Sequence, residues 1–528
     1  MYDILIKNAL VVDGSGRPGQ IQDVALKESR ILAVDRDLPL ERAARVLEGR
    51  GLALAPGFID MHCHTDTYHI AEPAGEIKVR QGVCLDVVGN CGVSAAPAPL
   101  GRNAEDDDPS RREFRRHCPG VQTLADYAAA LDRARPAARV MSHVGHCAIR
   151  IKVMGHSAQA PDRDQLAAMV AETEAALEQG AAGLSTGLYY PPSGFARDEE
   201  LIALAGAVAR RGRFHASHIR NEAAGLLDSL REVIRVGRAA GAATHISHLK
   251  AAGRDNRHQA EAAVELIETA IVQGLDLTCD LYPYDRSATT LLALIPPWAQ
   301  EGGIEALTAR LQDPRQRERI LGQMADGLPG WENSYHNAGF EGISISSLES
   351  PARAALVGQT VAQAAQGAGR DPFELVCDLI VEEKGAVNII IASMNEADVA
   401  RFLSLPFVMI GSDGNPNGGM PHPRVYGAFP RVIRRFVREL GVISLETAVY
   451  KMSGLPARRL GLAEQGQIRP GYIADLVLFD PQTLSDTATY TAPRSYPEGV
   501  SAVIINGELV LDGGRRTAAR PGGFVRAG

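Results

Sequence analysis

The chain has 528 residues, 45% hydrophobic and 22% charged, which is enough for one large globular domain and a smaller one. Its net charge of −8 at pH 7 is unlike the basic surface of nucleic-acid-binding proteins, so we expect no nucleic-acid partner. No apolar run reaches the roughly 18 residues that span a membrane, so no membrane partner is expected. The seven cysteines are too sparse and too odd in number for a disulfide framework, which favours a cytoplasmic protein.

Short strand-like runs occupy both ends of the chain, in residues 1–55 and 466–528. Turn signals such as Asp13-Gly14 and Asn506-Gly507 separate these runs, as in hairpins and short loops. Neither end is long enough for a stable core of its own. We therefore expect the two ends to pair into one small β-sandwich domain, with a C-terminal tail after it.

Residues 56–465 alternate short apolar runs with longer amphipathic runs, the pattern of repeated strand–helix units. Apolar residues at helical spacing predict helices over 164–179 and 222–240. Eight apolar runs predict strands, near 57–64, 84–91, 138–145, 181–188, 213–218, 243–248, 276–282 and 407–413. Eight strands with helical connections predict an α/β fold, a (β/α)8 barrel of the TIM type.

Two segments depart from this alternation. The stretch from about 285 to 405 lies between the last two predicted strands and is too long for a simple loop. We expect it to form a lid-like insertion with helices of its own. The charged run from Glu105 to Arg116 predicts an exposed loop.

Side chains that bind metals follow five of the predicted strands. In a barrel of this kind the chemistry collects at the carboxyl ends of the strands, so these side chains are expected to converge. Imidazole, thiolate and carboxylate all ligate Zn²⁺, which predicts a zinc site. The six candidate ligands are His62, His64, Cys91, His218, His248 and Asp413.

Two motifs carry a resemblance to a known family. The first-strand run Pro56-Gly57-Phe58-Ile59-Asp60-Met61-His62-Cys63-His64 resembles the signature of the amidohydrolase superfamily. The run Val88-Gly89-Asn90-Cys91-Gly92 is similar to one peculiar to the N-acyl-D-amino-acid deacylases, or D-aminoacylases. Further similar runs extend the resemblance over nearly the whole chain, among them His218-Ile219-Arg220-Asn221-Glu222, Ser247-His248-Leu249-Lys250 and Gly411-Ser412-Asp413-Gly414.

The resemblance implies a zinc-dependent enzyme that hydrolyses N-acyl-D-amino acids to a carboxylate and a free D-amino acid. Cys91, His218 and His248 would hold a tightly bound zinc ion. His62, His64 and Asp413 would surround it and could form a second, weaker metal position. Asp413 would act as general base and later as general acid, which is chemistry that a carboxylate beside a metal can perform.

The resemblance also implies substrate-binding residues. Arg424 would bind the α-carboxylate, for which a guanidinium fork suits better than an ammonium group, and Tyr190 and Tyr282 would line the pocket. Arg286 departs from the family pattern, and Lys250 is expected to point to the same side of its strand as His248. These two cations suggest a pocket for an acidic side chain, such as that of D-glutamate or D-aspartate. The alternative is that Lys250 is structural and Arg286 lies on the surface.

Two other functions remain open. A cyclic-amide hydrolase of the hydantoinase or dihydroorotase kind would share the barrel and the histidines, but it usually requires a carboxylated lysine. Cys91 and the absence of a convincing lysine at a strand end argue against it. A non-catalytic relative acting as a binding protein would typically have lost ligands, whereas all six are present.

Overall fold

The computed structural model of the protein describes residues 1–98 and 109–528. Residues 105–108 of the predicted charged loop lie outside the described part, and the rest of that run is helical from Pro109. The described strands are β1 (Tyr2–Val11), β2 (Gln20–Lys27), β3 (Arg30–Asp35), β4 (Ala43–Glu48), β5 (Ala53–Pro56), β6 (Phe58–Asp60), β7 (Val83–Val88), β8 (Arg139–Ser142), β9 (Val144–Gly145), β10 (Gly183–Gly187), β11 (Phe214–His218), β12 (Ala243–Ile246), β13 (Leu277–Leu281), β14 (Ser287–Thr290), β15 (Ile343–Ser347), β16 (Asn388–Ile391), β17 (Val408–Ile410), β18 (Leu476–Phe479), β19 (Val500–Ile505), β20 (Glu508–Asp512) and β21 (Arg515–Arg516).

The described α-helices are α1 (Tyr68–Ala71), α2 (Glu76–Val79), α3 (Pro109–His117), α4 (Leu124–Ala134), α5 (His146–Met154), α6 (Arg163–Glu178), α7 (Asp198–Arg210), α8 (Leu226–Ala240), α9 (Gln259–Val272), α10 (Gly303–Gln312), α11 (Pro314–Asp326), α12 (Ser334–Ala338), α13 (Val361–Ala368), α14 (Pro372–Glu382), α15 (Glu396–Ser404), α16 (Arg424–Arg431), α17 (Leu445–Val449) and α18 (Leu455–Arg459). Of the helices in this part of the chain, none is both long and apolar enough to cross a membrane.

Both ends of the chain enter one sheet. In the described residues this sheet has nine strands, in the order β21-β20-β19-β18-β5-β1-β2-β3, with β4 paired to β1. The antiparallel pair β5–β18 joins the two ends, with Ala55 opposite Val477. The predicted pairing of the two ends is therefore present. Domain boundaries at residues 55 and 465 stay a prediction, which this strand pairing supports.

The central strands form the predicted barrel. Strands β6, β7 and β8 pair in parallel, and β9 to β13 continue in chain order to β17. The ring closes between its last and first strands, because Met61 N–H donates to the Ile410 carbonyl (3.3 Å) and Asp413 N–H donates to the His62 carbonyl (2.7 Å). The helices between the strands carry ordinary end signals, such as the capping box that Asp162 and Gln165 form at the start of α6. The (β/α)8 fold is confirmed.

The predicted insertion has a core of its own. Helices α10 to α14 are present, and β14, β15 and β16 add an antiparallel sheet that the sequence did not predict. Residues from these elements form a separate cluster of buried hydrophobic side chains. Helix α15 is different, since its Val399, Phe402 and Leu403 pack into the core of the barrel. We name residues 287–391 the inserted lobe.

Candidate metal centre and substrate cavity

Backbone turns at three strand ends bring candidate ligands to the carboxyl rim of the barrel. Cys91, His248 and Asp413 all have positive φ, at 52°, 35° and 47°. Residues other than glycine rarely adopt this conformation, and such strain concentrates at functional sites. Gly89 makes the turn before Cys91 possible, because a Cβ there would lie 2.4 Å from the His143 carbonyl oxygen.

The six predicted ligands converge. Cys91 Sγ lies 3.3 Å from His62 Nε2 and 3.4 Å from His248 Nε2. Asp413 Oδ1 lies 3.2 Å from His64 Nε2 and 3.7 Å from His62 Nε2. Their donor atoms fall within 4.8 Å of one another in three overlapping groups, which are His62 with His64 and Cys91, Cys91 with His218 and His248, and His62 with His248 and Asp413. We name these six residues the metal centre.

The electrostatics of the metal centre suit a cation. Burial alone would favour the neutral thiol of Cys91, but His62 and His248 hold its pKa well below the usual 9.0. Neither ring nitrogen of the buried His218 makes a hydrogen bond within the described residues. A buried imidazole without a partner is costly, and a metal ion would supply one. Catalytic zinc sites have three protein ligands and leave a fourth position for water or substrate. Cys91, His218 and His248 would supply three ligands of this kind.

Asp280, near the end of β13, positions the histidines and was missed from the sequence. Its Oδ2 accepts from His245 Nε2 (2.8 Å) and lies 3.2 Å from His62 Nδ1, while Oδ1 accepts from the His248 N–H (3.0 Å). Burial opposes ionisation of this carboxyl, but His62 and His245 hold its pKa well below the usual range. Carboxylates that bind the far nitrogen of a metal-ligating histidine fix its orientation. The available signal was a carboxylate within an otherwise apolar barrel strand.

Glu222 plays a similar part for His248. Its Oε1 lies 2.9 Å from His248 Nδ1 and accepts a hydrogen bond from Lys250 Nζ at 2.5 Å. Lys250, predicted to bind substrate, lines the cavity, but its buried ammonium group is already paired with Glu222. No local pattern singled out Glu222, although it ends the run His218-Ile219-Arg220-Asn221-Glu222.

Asp413 is paired with the predicted carboxylate-binding arginine. Arg424 Nη2 lies 2.9 Å from Asp413 Oδ2, and its guanidinium lies 4.5 Å from the centre of the Tyr282 ring. Burial opposes ionisation of Asp413, yet Arg424 and His64 hold its pKa well below the usual range. Arg424 Nε and Nη1 are buried and make no hydrogen bond to the described residues, so donors remain for a ligand.

A cavity of about 300 Å³ opens over the metal centre. It is lined by Tyr190, Tyr282, Lys250 and Arg424, together with residues of the inserted lobe. Tyr190 packs against His218, with ring centres 5.0 Å apart, and its hydroxyl is 3.0 Å from Thr289 Oγ1. The inserted lobe therefore reaches the metal centre through residues of the barrel rim.

Arg286 is the predicted substrate-binding residue that the structure does not bring to the site. It lies outside the described lining of the cavity, with its guanidinium 4.2 Å from the centre of the Tyr490 ring. The aromatic face of Tyr490 offers the cation a favourable contact away from the metal centre. The interpretation in which Arg286 and Lys250 together bind an acidic side chain is therefore not supported.

A second buried cluster of residues that could ligate a metal ion lies on and beside the first two barrel strands, β6 and β7. Asp60, Cys63 and Asp86 have donor atoms within 4.8 Å of one another. Lys78 Nζ lies 2.5 Å from Asp60 Oδ2 and 3.3 Å from Asp86 Oδ1, and His69 Nε2 is 2.7 Å from Asp86 Oδ2. Burial and the charge of Asp86 raise the pKa of the Cys63 thiol well above its usual value. We name Asp60, Cys63, Lys78 and Asp86 the lysine cluster.

A parallel barrel with histidine, thiol and carboxylate donors at its carboxyl rim is an arrangement suited to a metal-dependent hydrolase. Residues 45–511 match the amidohydrolase family. The chain is 35% identical to an N-acyl-D-glutamate deacylase of Alcaligenes xylosoxydans xylosoxydans (99% of this chain, 96% of the relative) and 35% identical to a D-aminoacylase of the same organism (96% and 94%). The crystal structure of N-acyl-D-glutamate deacylase from Bordetella bronchiseptica, complexed with zinc and a phosphonate inhibitor, matches with a TM-score of 0.85 at 35% identity, over 100% of both chains.

The chain belongs to the amidohydrolase family. The resemblance to its D-aminoacylase group, inferred from the first-strand histidines and Cys91, is confirmed by these full-length relatives.

Proposed function

We propose that the protein is a zinc-dependent hydrolase that cleaves N-acyl-D-amino acids into a carboxylate and a free D-amino acid. The observation that carries this proposal is one cavity that holds both the metal centre and the buried pair of Asp413 and Arg424. Relatives that align over almost the whole chain are deacylases of this kind, which supports the same activity here.

Cys91, His218 and His248 would hold the principal zinc ion. His62, His64 and Asp413 surround that position and offer the donors for a second, weaker one. Zinc held here would lower the pKa of a water molecule and polarise the scissile carbonyl group. Asp280 and Glu222 fix the histidine rings from the far side.

Asp413 would accept the proton of the attacking water and pass it to the departing nitrogen atom. Arg424 would bind the α-carboxylate of the substrate, because its planar fork has donors to spare and lies beside Asp413. Tyr282 stacks on the guanidinium and holds it over the cavity, and Tyr190 closes the side next to His218. A substrate bound in this way would have its amide group near the metal centre and its α-carboxylate at Arg424.

Replacement of Asp413 tests this role. Asp413→Asn keeps the size of the side chain but removes the proton acceptor, so kcat for an N-acetyl-D-amino acid should fall by about 10²–10⁴-fold. Asp228→Asn, at an exposed position of α8, is the matched control and should not change kcat. Near-normal turnover of Asp413→Asn, with a normal zinc content, would remove Asp413 from the proposed role.

The other two interpretations have less support. A cyclic amidase of the hydantoinase kind would need a carboxylated lysine, and the lysine that lines the described cavity, Lys250, is paired with Glu222. A non-catalytic binding protein would have no need of the strained and converging ligands. A cytoplasmic location stays part of the proposal, supported by cysteines that are few for a chain of 528 residues and are buried.

A further inference from the structure

The full-length relatives have different names, since an N-acyl-D-aspartate deacylase is 34% identical to this chain and an N-acyl-D-glutamate deacylase and a D-aminoacylase are each 35% identical. Identity alone therefore does not indicate which amino-acid side chain this cavity takes. The charged and apolar residues that line the cavity indicate which side chain it accepts.

We infer, on the basis of the proposed function, that the cavity takes N-acyl-D-amino acids with apolar side chains and excludes those with acidic side chains. One free carboxylate of the substrate is accommodated at Arg424. A second carboxylate would have no cation left to pair with.

The lysine and arginine residues that line the described part of the cavity are already engaged. Lys250 Nζ donates to Glu222 Oε1 at 2.5 Å, and its side chain is only 3% exposed. Arg111 Nη1 donates to the Ser94 carbonyl at 3.2 Å. Arg424 faces Asp413 and is the residue assigned to the α-carboxylate.

Acidic side chains leave this cavity without an excess of positive charge. Glu222, Glu332 and Asp413 line the described part of the cavity. Burial and the charge of Glu222 raise the pKa of Glu332 to about 8, so Glu222 and Asp413 are the ionised acids, and with the α-carboxylate of a substrate they equal the three lysine and arginine residues in number. Glu332 comes from the inserted lobe, and its Oε2 accepts from the Glu222 N–H at 2.5 Å. A further buried carboxylate without a partner would carry a large desolvation cost.

The inserted lobe supplies an apolar wall instead of a cation. Leu292, Ala293, Ile295, Pro297 and Trp331 line the cavity, and Ile151 of α5 joins them from the barrel. This wall is held firmly, because Leu291 N–H donates to the Val387 carbonyl (2.8 Å) and Gln300 Nε2 donates to the Leu292 carbonyl (3.1 Å). Leu292 is half-buried and lines the cavity, so a charged side chain introduced there can keep contact with solvent while it reaches the substrate.

The first test compares kcat/KM for N-acetyl-D-leucine and N-acetyl-D-glutamate, using the zinc-loaded full chain. We expect the leucine compound to be favoured by about 100-fold, the effect of burying an apolar side chain and of leaving a carboxylate unpaired. The same two compounds are then titrated calorimetrically into the slow Asp413→Asn variant, which reports binding independently of turnover. The leucine compound should bind at least tenfold more tightly.

The second test introduces the missing cation. Leu292→Arg should narrow the leucine-to-glutamate ratio of kcat/KM by tenfold or more, while the polar and uncharged Leu292→Gln should narrow it less. Leu32→Arg, at an exposed leucine of the terminal sheet, is the matched control and should leave the ratio unchanged. A folded Leu292→Arg protein with an unaltered ratio would contradict the role of this wall.

The outcomes separate the two proposals. Equal or better hydrolysis or binding of the glutamate compound would overturn the apolar assignment and leave the deacylase activity intact. Tighter binding of the leucine compound without hydrolysis of either would support the apolar cavity and overturn the proposed activity. Failure of both compounds to bind would overturn both.

Discussion

Two buried clusters of metal-binding side-chain types lie close together in this barrel, yet only one of them is suited to a metal ion. The lysine cluster contains two carboxylates and a thiol, and the ammonium group of Lys78 is within 3.3 Å of both carboxylates. The metal centre contains a thiol, histidines and a carboxylate, and both nitrogens of His218 remain without a hydrogen-bond partner in the described structure. Donor types alone therefore do not define a metal site, because a built-in cation can balance the charge of the same donors.

The two thiols show the difference most clearly. Burial and Asp86 raise the pKa of Cys63, whose Sγ donates to the Val87 carbonyl at 3.4 Å. Against the effect of burial, His62 and His248 lower the pKa of Cys91. Since the thiolate is the form that ligates metals, this difference favours Cys91 over Cys63 as the metal ligand.

Replacement of each of these two cysteines by alanine should give the largest difference in zinc content and activity. Cys91→Ala removes a thiolate from the principal zinc position, so most of the bound zinc should be lost. Activity should fall by at least about 10³-fold. Mutation of a residue that only hydrogen-bonds to a metal ligand typically costs about 10–100-fold. Cys63→Ala should keep its zinc, because its thiol is a neutral donor within the barrel. Elemental analysis of the purified variants measures both, and retention of zinc by Cys91→Ala would refute the assignment.

Replacement of Lys78 should produce the next largest effect, this time on stability. Lys78→Met leaves Asp60 and Asp86 buried without their cation, so the free energy of unfolding should drop by about 3–5 kcal/mol. Denaturant titration measures the change, and the zinc content of the remaining folded protein should stay normal. Lys27→Met, which breaks an exposed pair with Asp3, should have no comparable effect. A loss below about 1 kcal/mol would show that Lys78 is not the counter-ion of the cluster.

A smaller effect on zinc binding is expected at Asp280. This residue is not one of the six predicted ligands, but it contacts two of them, the ring of His62 and the backbone N–H of His248. Asp280→Asn should weaken zinc affinity by about 10–100-fold, because His62 and His245 lose their shared acceptor. Competition with a chelator measures the affinity. Asp276→Asn, at the exposed position just before the same strand, is the control and should not alter it. Unchanged affinity in Asp280→Asn would contradict its positioning role.

The barrel and the six donors could be predicted because both follow from a repeating pattern. A strand end is visible in the sequence as the close of an apolar run, and barrel topology brings all such ends to one rim. Asp280 and Glu222 were not predicted because their partners are distant in sequence. His62 is 218 residues away from Asp280, and Lys250 is 28 residues away from Glu222. The sheet of the inserted lobe was missed for the same reason, since β14 pairs with residues about 100 positions away, Ser287 opposite Ile391.

Arg286 shows the limit of inference from residue type. Arg286 departs from the family pattern two residues after Tyr284, and together with Lys250 it suggested a contact with an acidic side chain of the substrate. The competing attraction comes from Tyr490, a residue of the terminal segment more than 200 positions away. No local pattern records that contact.

The separate hydrophobic core of the inserted lobe has a consequence for how this architecture diversifies. Barrel residues hold the metal centre, whereas lobe residues such as Leu292, Ile295 and Trp331 form the apolar wall of the cavity. Substitutions in the lobe can therefore alter substrate selection while the ligand geometry stays fixed. Recognition is thus divided, with the α-carboxylate assigned to Arg424 of the barrel and most of the side-chain wall to the lobe, so new side-chain specificities are accessible through changes confined to the lobe.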